Sequence, residues 1–200
     1  MRIRWTIAIV GIAALAAVAA NFYMPWRAED RPMPVADDAA RRGPAMQQSS
    51  ESEEPTVACP ADAKAANLDF TLKDAYGKDV RLASFKGKVI MIDFWATWCG
   101  PCKVEIPWFV EFQQKYGPSG LQVVGISVDD SAEQLKPFIV EFKMNYPVLQ
   151  GLGRDDVQDA FGPLIGVPIT VMIDRQGRIC AKHAGLSSKQ VFEREIKALL

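Results

Sequence analysis

Residues 89–105 read VIMIDFWATWCGPCKVE, and this stretch carries the strongest structural signals in the chain. Its first seven residues form an apolar run that only Asp93 interrupts, which predicts a central, parallel strand covered on both faces. A helix is predicted to begin near Cys99 and to run to about Tyr116, with a kink at Pro107. The stretch therefore predicts a buried strand that leads directly into a helix with a cysteine at its start.

The other predicted elements continue this alternation of strands and helices. A hairpin is predicted over residues 68–82, strands over 121–129, 167–174 and 178–185, and helices over 131–142, 155–161 and 187–200. The order is a βαβ unit followed by a hairpin and a last helix. That order predicts an α/β sandwich around a mixed central sheet, with an additional hairpin at the amino-terminal end.

The amino-terminal segment differs in character from the rest of the chain. Residues 5–26 are 22 consecutive uncharged residues, and a helix of this length spans about 33 Å, enough to cross a bilayer core of about 30 Å. Arg2 and Arg4 precede it, so the positive-inside rule predicts that residues 1–4 are a cytoplasmic tip. A cleaved signal peptide, with small residues at 17–19 as its cleavage site, is the alternative prediction. Both alternatives export the remainder of the chain.

A linker and one globular domain are predicted after this segment. Residues 27–57 combine four prolines, mixed charge and few large apolar residues, which predicts disorder. Residues 58–200 then form the domain. Over the whole chain of 200 residues, 49% are hydrophobic and 24% charged, as is typical of globular proteins. The formal net charge of −1 and the absence of a basic stripe argue against nucleic acid as a partner.

Two cysteines separated by two residues, Cys99 and Cys102, are the candidate reactive groups. A thiol is a nucleophile only as thiolate, and free N–H groups at the amino end of a helix, where Cys99 is predicted, stabilise a thiolate. Cys102 follows one turn later, within reach of Cys99 for a disulfide but shielded behind it. Pro101 fixes the backbone between them. The pattern predicts that Cys99 attacks a substrate disulfide and Cys102 resolves the mixed disulfide, with no cofactor.

An acidic residue lies on each side of the cysteine pair. Asp93 interrupts the buried strand, so its carboxyl group is predicted to be desolvated with a raised pKa, suited to accepting a proton near neutral pH. Glu105 lies three residues after Cys102 and therefore on the same helix face. We predict that both acids are proton acceptors for the buried thiol of Cys102.

The remaining cysteines do not form a recognisable zinc site with this pair. Structural zinc takes four ligands, and the chain offers besides Cys99 and Cys102 only Cys59, Cys180 and the single His183, none at knuckle spacing. We therefore predict no metal. His183 lies in an alternating strand pattern, which is typical of a packing or surface residue rather than a catalyst.

A second disulfide is predicted between Cys59 and Cys180. Four cysteines allow three pairings, and with Cys99 and Cys102 as the active pair this one remains. An oxidising compartment favours bond formation over two free thiols. The bond would tie the start of the domain to the last hairpin, provided that the strand register does not turn Cys180 away.

The segment DFWATWCGPCK at residues 93–103 resembles the active-site signature of thioredoxins, and GVPIT at 166–170 resembles the cis-proline loop of that family. The resemblance covers about residues 65–200 and implies the thioredoxin fold. It places Pro168 opposite the cysteines and makes the backbone of Val167 available to an extended substrate. The residues that it implies as active-site support are Trp98, Gly100, Pro101 and Val167.

Several features are similar to the exported, membrane-tethered TlpA/ResA/DsbE branch of this superfamily. They are the hairpin, Glu105, an inserted strand-helix unit at residues 124–142 and the predicted anchor. Asp93 is a departure, because asparagine is frequent there in this branch. Peroxiredoxins fit less well, since Thr97 lies two rather than three residues before Cys99. Copper chaperones of the SCO type have three residues between their cysteines.

The resemblance implies a thiol-disulfide oxidoreductase anchored in the bacterial cytoplasmic membrane, with its domain on the periplasmic side. Its expected role is to reduce disulfides in exported proteins, for example in cytochrome c maturation or copper-site assembly. A membrane thiol reductase of the DsbD or CcdA kind is the expected electron donor. The alternative is a Cu(I)-handling metallochaperone that uses Cys99 and Cys102 as ligands, because soft thiolates select Cu(I).

Overall fold

The computed structural model describes residues 59–200. The predicted anchor at residues 5–26 and the predicted linker at 27–57 lie outside the described residues. Among the helices that are described, none is both long enough and apolar enough to cross a bilayer.

Two short strands precede a five-stranded sheet, and helices connect and cover the strands of that sheet. In chain order the elements are β1 (Thr71–Lys73), β2 (Asp79–Arg81), β3 (Val89–Trp95), α1 (Gly100–Tyr116), β4 (Leu121–Ser127), α2 (Ala132–Glu141), β5 (Val148–Gln150), α3 (Asp155–Phe161), β6 (Ile169–Ile173), β7 (Ile179–Ala184) and α4 (Lys189–Leu199), with short 3-10 helices at Leu82–Phe85 and Gly117–Ser119. The predicted hairpin is confirmed, because β1 and β2 pair antiparallel.

The main sheet has the strand order β5-β4-β3-β6-β7. The prediction of a central β3 is confirmed, and all seven of its residues are buried. It runs parallel to β4 but antiparallel to β6, so the expectation of parallel neighbours is right on one side only. Helix α1 is the crossover that a parallel pair requires. The prediction of a mixed sheet is confirmed.

Alternation along β3 divides the core into two layers. Met91 and Trp95 belong to a cluster formed with side chains of α1, α2 and α4, whereas Ile92 and Phe94 belong to a second cluster with α3 and the β1–β2 hairpin. We call the two sides of the sheet the α1 face and the α3 face. Successive strand residues point to opposite faces, so Asp93 lies on the α1 face, beneath the helix that carries Cys102.

Strand β5 was not predicted. It contains only three residues, Val148–Gln150, which is too short for alternation to be visible in the sequence. It nevertheless forms one edge of the sheet by pairing parallel with β4. On the last helix, Phe192 and Ile196 are fully buried, whereas Val191 and Leu199 are half-buried.

The start of the described chain is held against the last hairpin. Cys59 and Cys180 form a disulfide with a Cα–Cα distance of 4.5 Å. Nearby, the N–H of Ala66 donates to the carbonyl of Gly177, and the N–H of Ile179 donates to the carbonyl of Lys64. The register of β6 against β7 shifts by one residue at Cys180. Such a bulge redirects the side chain at that position.

Candidate active site

The cysteine pair lies where β3 ends and α1 begins. Cys99 is the N-cap of α1, and Cys102 lies in its first turn, with Pro101 between them. The two cysteines form a disulfide with a Cα–Cα distance of 5.3 Å. The N–H of Cys102 donates to the Cys99 Sγ over 3.1 Å. A helix amino terminus therefore directs a free N–H group and its positive dipole end at Cys99, which favours a thiolate there when the disulfide is reduced.

The residues just before Cys99 are held by two aspartates that follow β4. The Asp130 carboxylate accepts from the N–H and the hydroxyl of Thr97, over 2.8 and 2.5 Å. The indole N–H of Trp98 donates to Asp129 over 2.9 Å, although the Trp98 side chain is 66% exposed. The sequence did not suggest the contacts between Asp130 and Thr97, because the two residues lie 33 positions apart in the chain.

Asp93 is buried beneath α1, as predicted. The side chain is 1% exposed, and neither carboxylate oxygen has a hydrogen-bond partner among the described residues. Burial raises the pKa of Asp93 well above its ordinary value, and the nearby negative charge of Glu105 raises it further. Asp93 can therefore hold a proton that an exposed aspartate would have released.

One side of Asp93 is enclosed by aromatic rings. Gly125 pairs with Asp93 across the sheet, and a Cβ atom at Gly125 would come within 3.0 Å of the Trp95 indole nitrogen and 3.4 Å of the Tyr146 ring. The glycine thus gives room for two rings beside the carboxyl group. Burial, and then the charge of Asp93, raise the pKa of Tyr146 well above its ordinary value. Sequence analysis missed Tyr146, which lies in a loop without a recognisable pattern.

Glu105 is fully buried on α1. One carboxylate oxygen accepts from the N–H of Ser187 over 2.8 Å, and the other has no partner in the described part of the chain. Burial raises the pKa of Glu105 to about 7, although the Ser187 N–H group and the charge of His183 lower it. A glutamate with a pKa near neutrality and one unpaired oxygen can accept and release a proton under ordinary conditions.

His183 lies on β7 and makes a contact that the sequence did not suggest. Its Nε2 atom is 2.8 Å from a carboxylate oxygen of Glu195 on α4. Its ring packs edge-on against Phe192, with centroids 5.0 Å apart. Glu195 was not a predicted site residue, because a single glutamate in an amphipathic helix carries no signal of burial.

The predicted cis-proline loop faces the cysteine motif. The Val167–Pro168 peptide bond is cis, and the Pro168 carbonyl accepts from the N–H of Gly185 over 2.9 Å. Trp98 and Val167 line one surface cavity together with Val128, Gln158, Leu164 and Gly166. The structure therefore brings the loop and the residue before Cys99 to opposite sides of one depression.

Comparison with known proteins agrees with this arrangement. The AhpC/TSA family model matches residues 63–182, more than half of the chain. The chain belongs to the AhpC/TSA family. Two curated AhpC/TSA-like relatives are each named thiol-disulfide oxidoreductase ResA. The protein from Bacillus subtilis is 32% identical over 62% of this chain and 68% of its own length. The protein from Geobacillus kaustophilus is 30% identical over 66% and 74%.

This chain is also similar to a solved structure. A thiol:disulfide interchange protein of the thioredoxin family from Chlorobium tepidum is 31% identical, with a TM-score of 0.63. The match covers 70% of this chain and 98% of that one. The protein is thus a thioredoxin-like thiol-disulfide oxidoreductase of the ResA/DsbE branch, and the predicted family and enzyme class are confirmed.

Proposed function

We propose that this protein reduces disulfides in exported proteins, with Cys99 as the attacking and Cys102 as the resolving thiol. The observation that carries the proposal is the combination of Cys99 at a helix amino terminus with two buried carboxyl groups that retain unpaired oxygens, Asp93 and Glu105. The Cys102 side chain is fully buried. Because bulk water cannot reach its thiol, the proton acceptor has to be a group of the protein.

The proposed reaction has two steps. The Cys99 thiolate attacks one sulfur of the substrate disulfide, forms a mixed disulfide and expels the other substrate sulfur as a thiolate. Cys102 then gives its proton to Glu105 or Asp93, and its thiolate attacks the Cys99 Sγ. The Cys99–Cys102 disulfide forms and the second substrate sulfur leaves. The substrate gains two electrons, the cysteine pair loses two, and the departing thiolates take up protons.

The cis-proline loop supports a mode of substrate binding. The N–H and carbonyl groups of Val167 make no backbone hydrogen bond within residues 59–200. An extended substrate segment could pair with these groups as an added strand, beside Trp98 on the other side of the cavity. Pro168 removes an N–H group next to the disulfide, so that a substrate sulfur can approach without competition from a backbone donor.

The direction of transfer and the location follow from the sequence. The Gly100-Pro101 pair resembles thioredoxin, whose potential is about −270 mV, so we expect a reductant with a potential below about −200 mV. The uncharged residues 5–26 support a single membrane anchor with the domain on the periplasmic side. A membrane thiol reductase of the DsbD or CcdA kind is then the electron donor, and substrates are exported proteins of cytochrome c maturation or copper-site assembly.

The site favours redox chemistry over Cu(I) handling. A Cu(I) dithiolate site needs soft ligands but no proton acceptor. Burial raises the pKa values of both Asp93 and Glu105, and such acids serve a reaction in which the Cys102 thiol must lose a proton.

Trapping of covalent partners tests the proposal. The Cys102→Ala variant of the full chain stalls at the mixed disulfide, so we expect complexes with exported proteins that dissociate on reduction. The matched control is Cys99→Ala, which retains one thiol but has lost the attacking one and should trap none. If both variants capture the same proteins, or if Cys102→Ala captures none, the proposed roles are wrong.

A further inference from the structure

A row of polar side chains crosses the α1 face of the sheet. Asp93 on β3 pairs with Thr170 on β6, and Thr170 pairs with His183 on β7. Residues directly opposite in neighbouring strands point to the same side of a sheet. The three side chains therefore lie side by side on the face that carries the redox helix. One flanking row on this face is apolar, with Met91 opposite Met172 and Met172 opposite Ala181.

Two glutamates from the covering helices complete this row. Glu105 on α1 is close enough to His183 for the imidazole charge to lower the glutamate pKa. Glu195 on α4 is 2.8 Å from the His183 Nε2 atom. The His183 and Glu195 side chains are only 19% and 8% exposed. Burial of this pair under two helices carries a desolvation free energy. Apolar residues could pack in the same place without it.

We propose that His183 and Glu195 are positioning residues for the redox reaction. They hold the charge of the His183 ring beside Glu105 and so set the pH at which Glu105 accepts the Cys102 proton. The inference rests on the proposed role of Glu105 as that acceptor. Neither residue touches the reacting sulfurs in this assignment. Both act through the carboxyl group of Glu105.

The surroundings of Glu105 act in opposite directions. Burial favours the protonated carboxylic acid, whereas the Ser187 N–H group and the charge of His183 favour the carboxylate. Glu195 holds the His183 ring in place through the 2.8 Å contact with its Nε2 atom. Without the His183 charge, Glu105 would remain protonated at higher pH and could not take the proton from Cys102.

The other titratable groups near the row are accounted for. Tyr146 lies on the far side of Asp93, as the effect of the Asp93 charge on its pKa indicates. Lys182 is adjacent to His183 in sequence but points to the α3 face, where its ammonium group donates to the Phe161 carbonyl over 2.8 Å. Lys182 is therefore a matched control: it is a cationic residue of the same strand on the opposite side of the sheet.

The test uses the reduced full-length protein and the aromatic disulfide DTNB. Attack by Cys99 releases one thionitrobenzoate and leaves a mixed disulfide; resolution by Cys102 releases the second. Stopped-flow absorbance separates the two steps, measured from about pH 5 to about pH 9. We expect His183→Gln to move the midpoint of the resolution step upward by about one unit, which is about a tenfold loss of rate below the midpoint. The first step should not change.

Two further variants keep the test decisive. Glu195→Gln should move the midpoint by less than His183→Gln, because the His183 ring loses the contact that holds it in place but is still present. Lys182→Gln should leave the midpoint in place. In a Glu105→Gln background, His183→Gln should have no further effect, because the two residues act on one proton.

The outcomes separate this inference from the proposed function. If Glu105→Gln slows resolution but His183→Gln leaves the midpoint where it was, the inference is wrong and the role of Glu105 stands. If Glu105→Gln does not slow resolution, the proposed role of Glu105 is wrong and the inference is lost with it. A larger shift in Glu195→Gln than in His183→Gln, or a shift in Lys182→Gln equal to that in His183→Gln, would also overturn the inference.

Discussion

Two buried aspartates differ in their partners: Asp174 lies beside the Cys59–Cys180 disulfide, and Asp93 lies on the face of the sheet that carries Cys102. An Asp174 oxygen and the sulfurs of Cys59 and Cys180 lie within 4.8 Å of one another. The Asp174 carboxylate accepts from two backbone N–H groups and from the Arg178 guanidinium, over 2.8 to 3.0 Å. Asp93, which lies on the same face of the sheet as Cys102, has no partner for either oxygen within residues 59–200.

The difference fits the proposed division into a structural and a reactive disulfide. Donors occupy the Asp174 carboxylate, whereas burial raises the proton affinity of the unpaired Asp93 carboxyl group. Chain topology differs as well. Cys59–Cys180 joins residues 121 apart and Cys99–Cys102 residues 3 apart, so the first bond restricts the unfolded chain far more than the second.

The largest expected effect comes from the reactive pair. Cys99→Ser should lower the rate of DTNB reduction by at least about a thousandfold, since a serine hydroxyl is not ionised near neutral pH. Circular dichroism should show an unchanged fold. Cys180→Ser provides the contrast and should retain the rate of the wild type. Equal losses in both variants would contradict the assignment of one reactive and one structural disulfide.

The structural disulfide should matter for stability instead. We expect the double variant Cys59→Ala/Cys180→Ala to lose about 2–5 kcal/mol of unfolding free energy, because the bond closes a long loop. Urea denaturation measures this loss, and the DTNB rates measured below the transition should not change. The prediction would be wrong if the double variant kept its full unfolding free energy, or if it stayed folded but lost its activity.

Replacement of each aspartate by asparagine tests the difference between Asp93 and Asp174 directly. The pKa of Asp93 is raised in the native state. At a pH above the ordinary aspartate pKa, the native state therefore binds more protons than the unfolded state. The unfolding free energy falls as the pH rises through this range. Asp93→Asn should remove this loss and stabilise the protein at neutral pH, by about 1.4 kcal/mol for each unit of pKa shift. It should also slow resolution by about tenfold.

Asp174→Asn should act in the opposite direction. It weakens the contacts with Arg178 and should lower the unfolding free energy by about 1–3 kcal/mol without slowing resolution. Thermal denaturation of both variants at about pH 5 and about pH 8 measures these effects. The same sign of stability change at about pH 8 for both variants would show that the partners of the two carboxylates do not decide their roles.

A third aspartate near a disulfide should have the smallest effect. Within residues 59–200, Asp129 accepts a side-chain hydrogen bond only from the indole of the exposed Trp98, so Asp129→Asn should leave DTNB kinetics unchanged. We expect it to raise the KM for a disulfide-bonded protein substrate by about two- to fivefold, in line with the loss of one hydrogen bond. Trp98→Phe, which removes the same N–H donor, should have a similar effect. A change in kcat without a change in KM would contradict a role in substrate binding.

Local patterns predicted much of this fold because they depend on neighbouring residues. The apolar run before Asp93 predicted a buried central strand, and Cys99 with Pro101 predicted the start of a helix. The helix at 155–161 was predicted with the observed bounds. By contrast, the three residues of β5 are too few to show a period, and their place at the sheet edge depends on pairing with β4.

The amino-acid sequence alone determined the chemistry of this protein: the cysteine spacing, the flanking acids and the resemblance to thioredoxins follow from residues close together in the chain. The tertiary structure decided which side chains surround that chemistry. Asp130 on Thr97, Tyr146 beside Asp93, and Glu195 on His183 are contacts between elements that the fold brings together. Their burial and electrostatics depend on distances across the sheet and between helices, and no local pattern in the sequence encodes those distances.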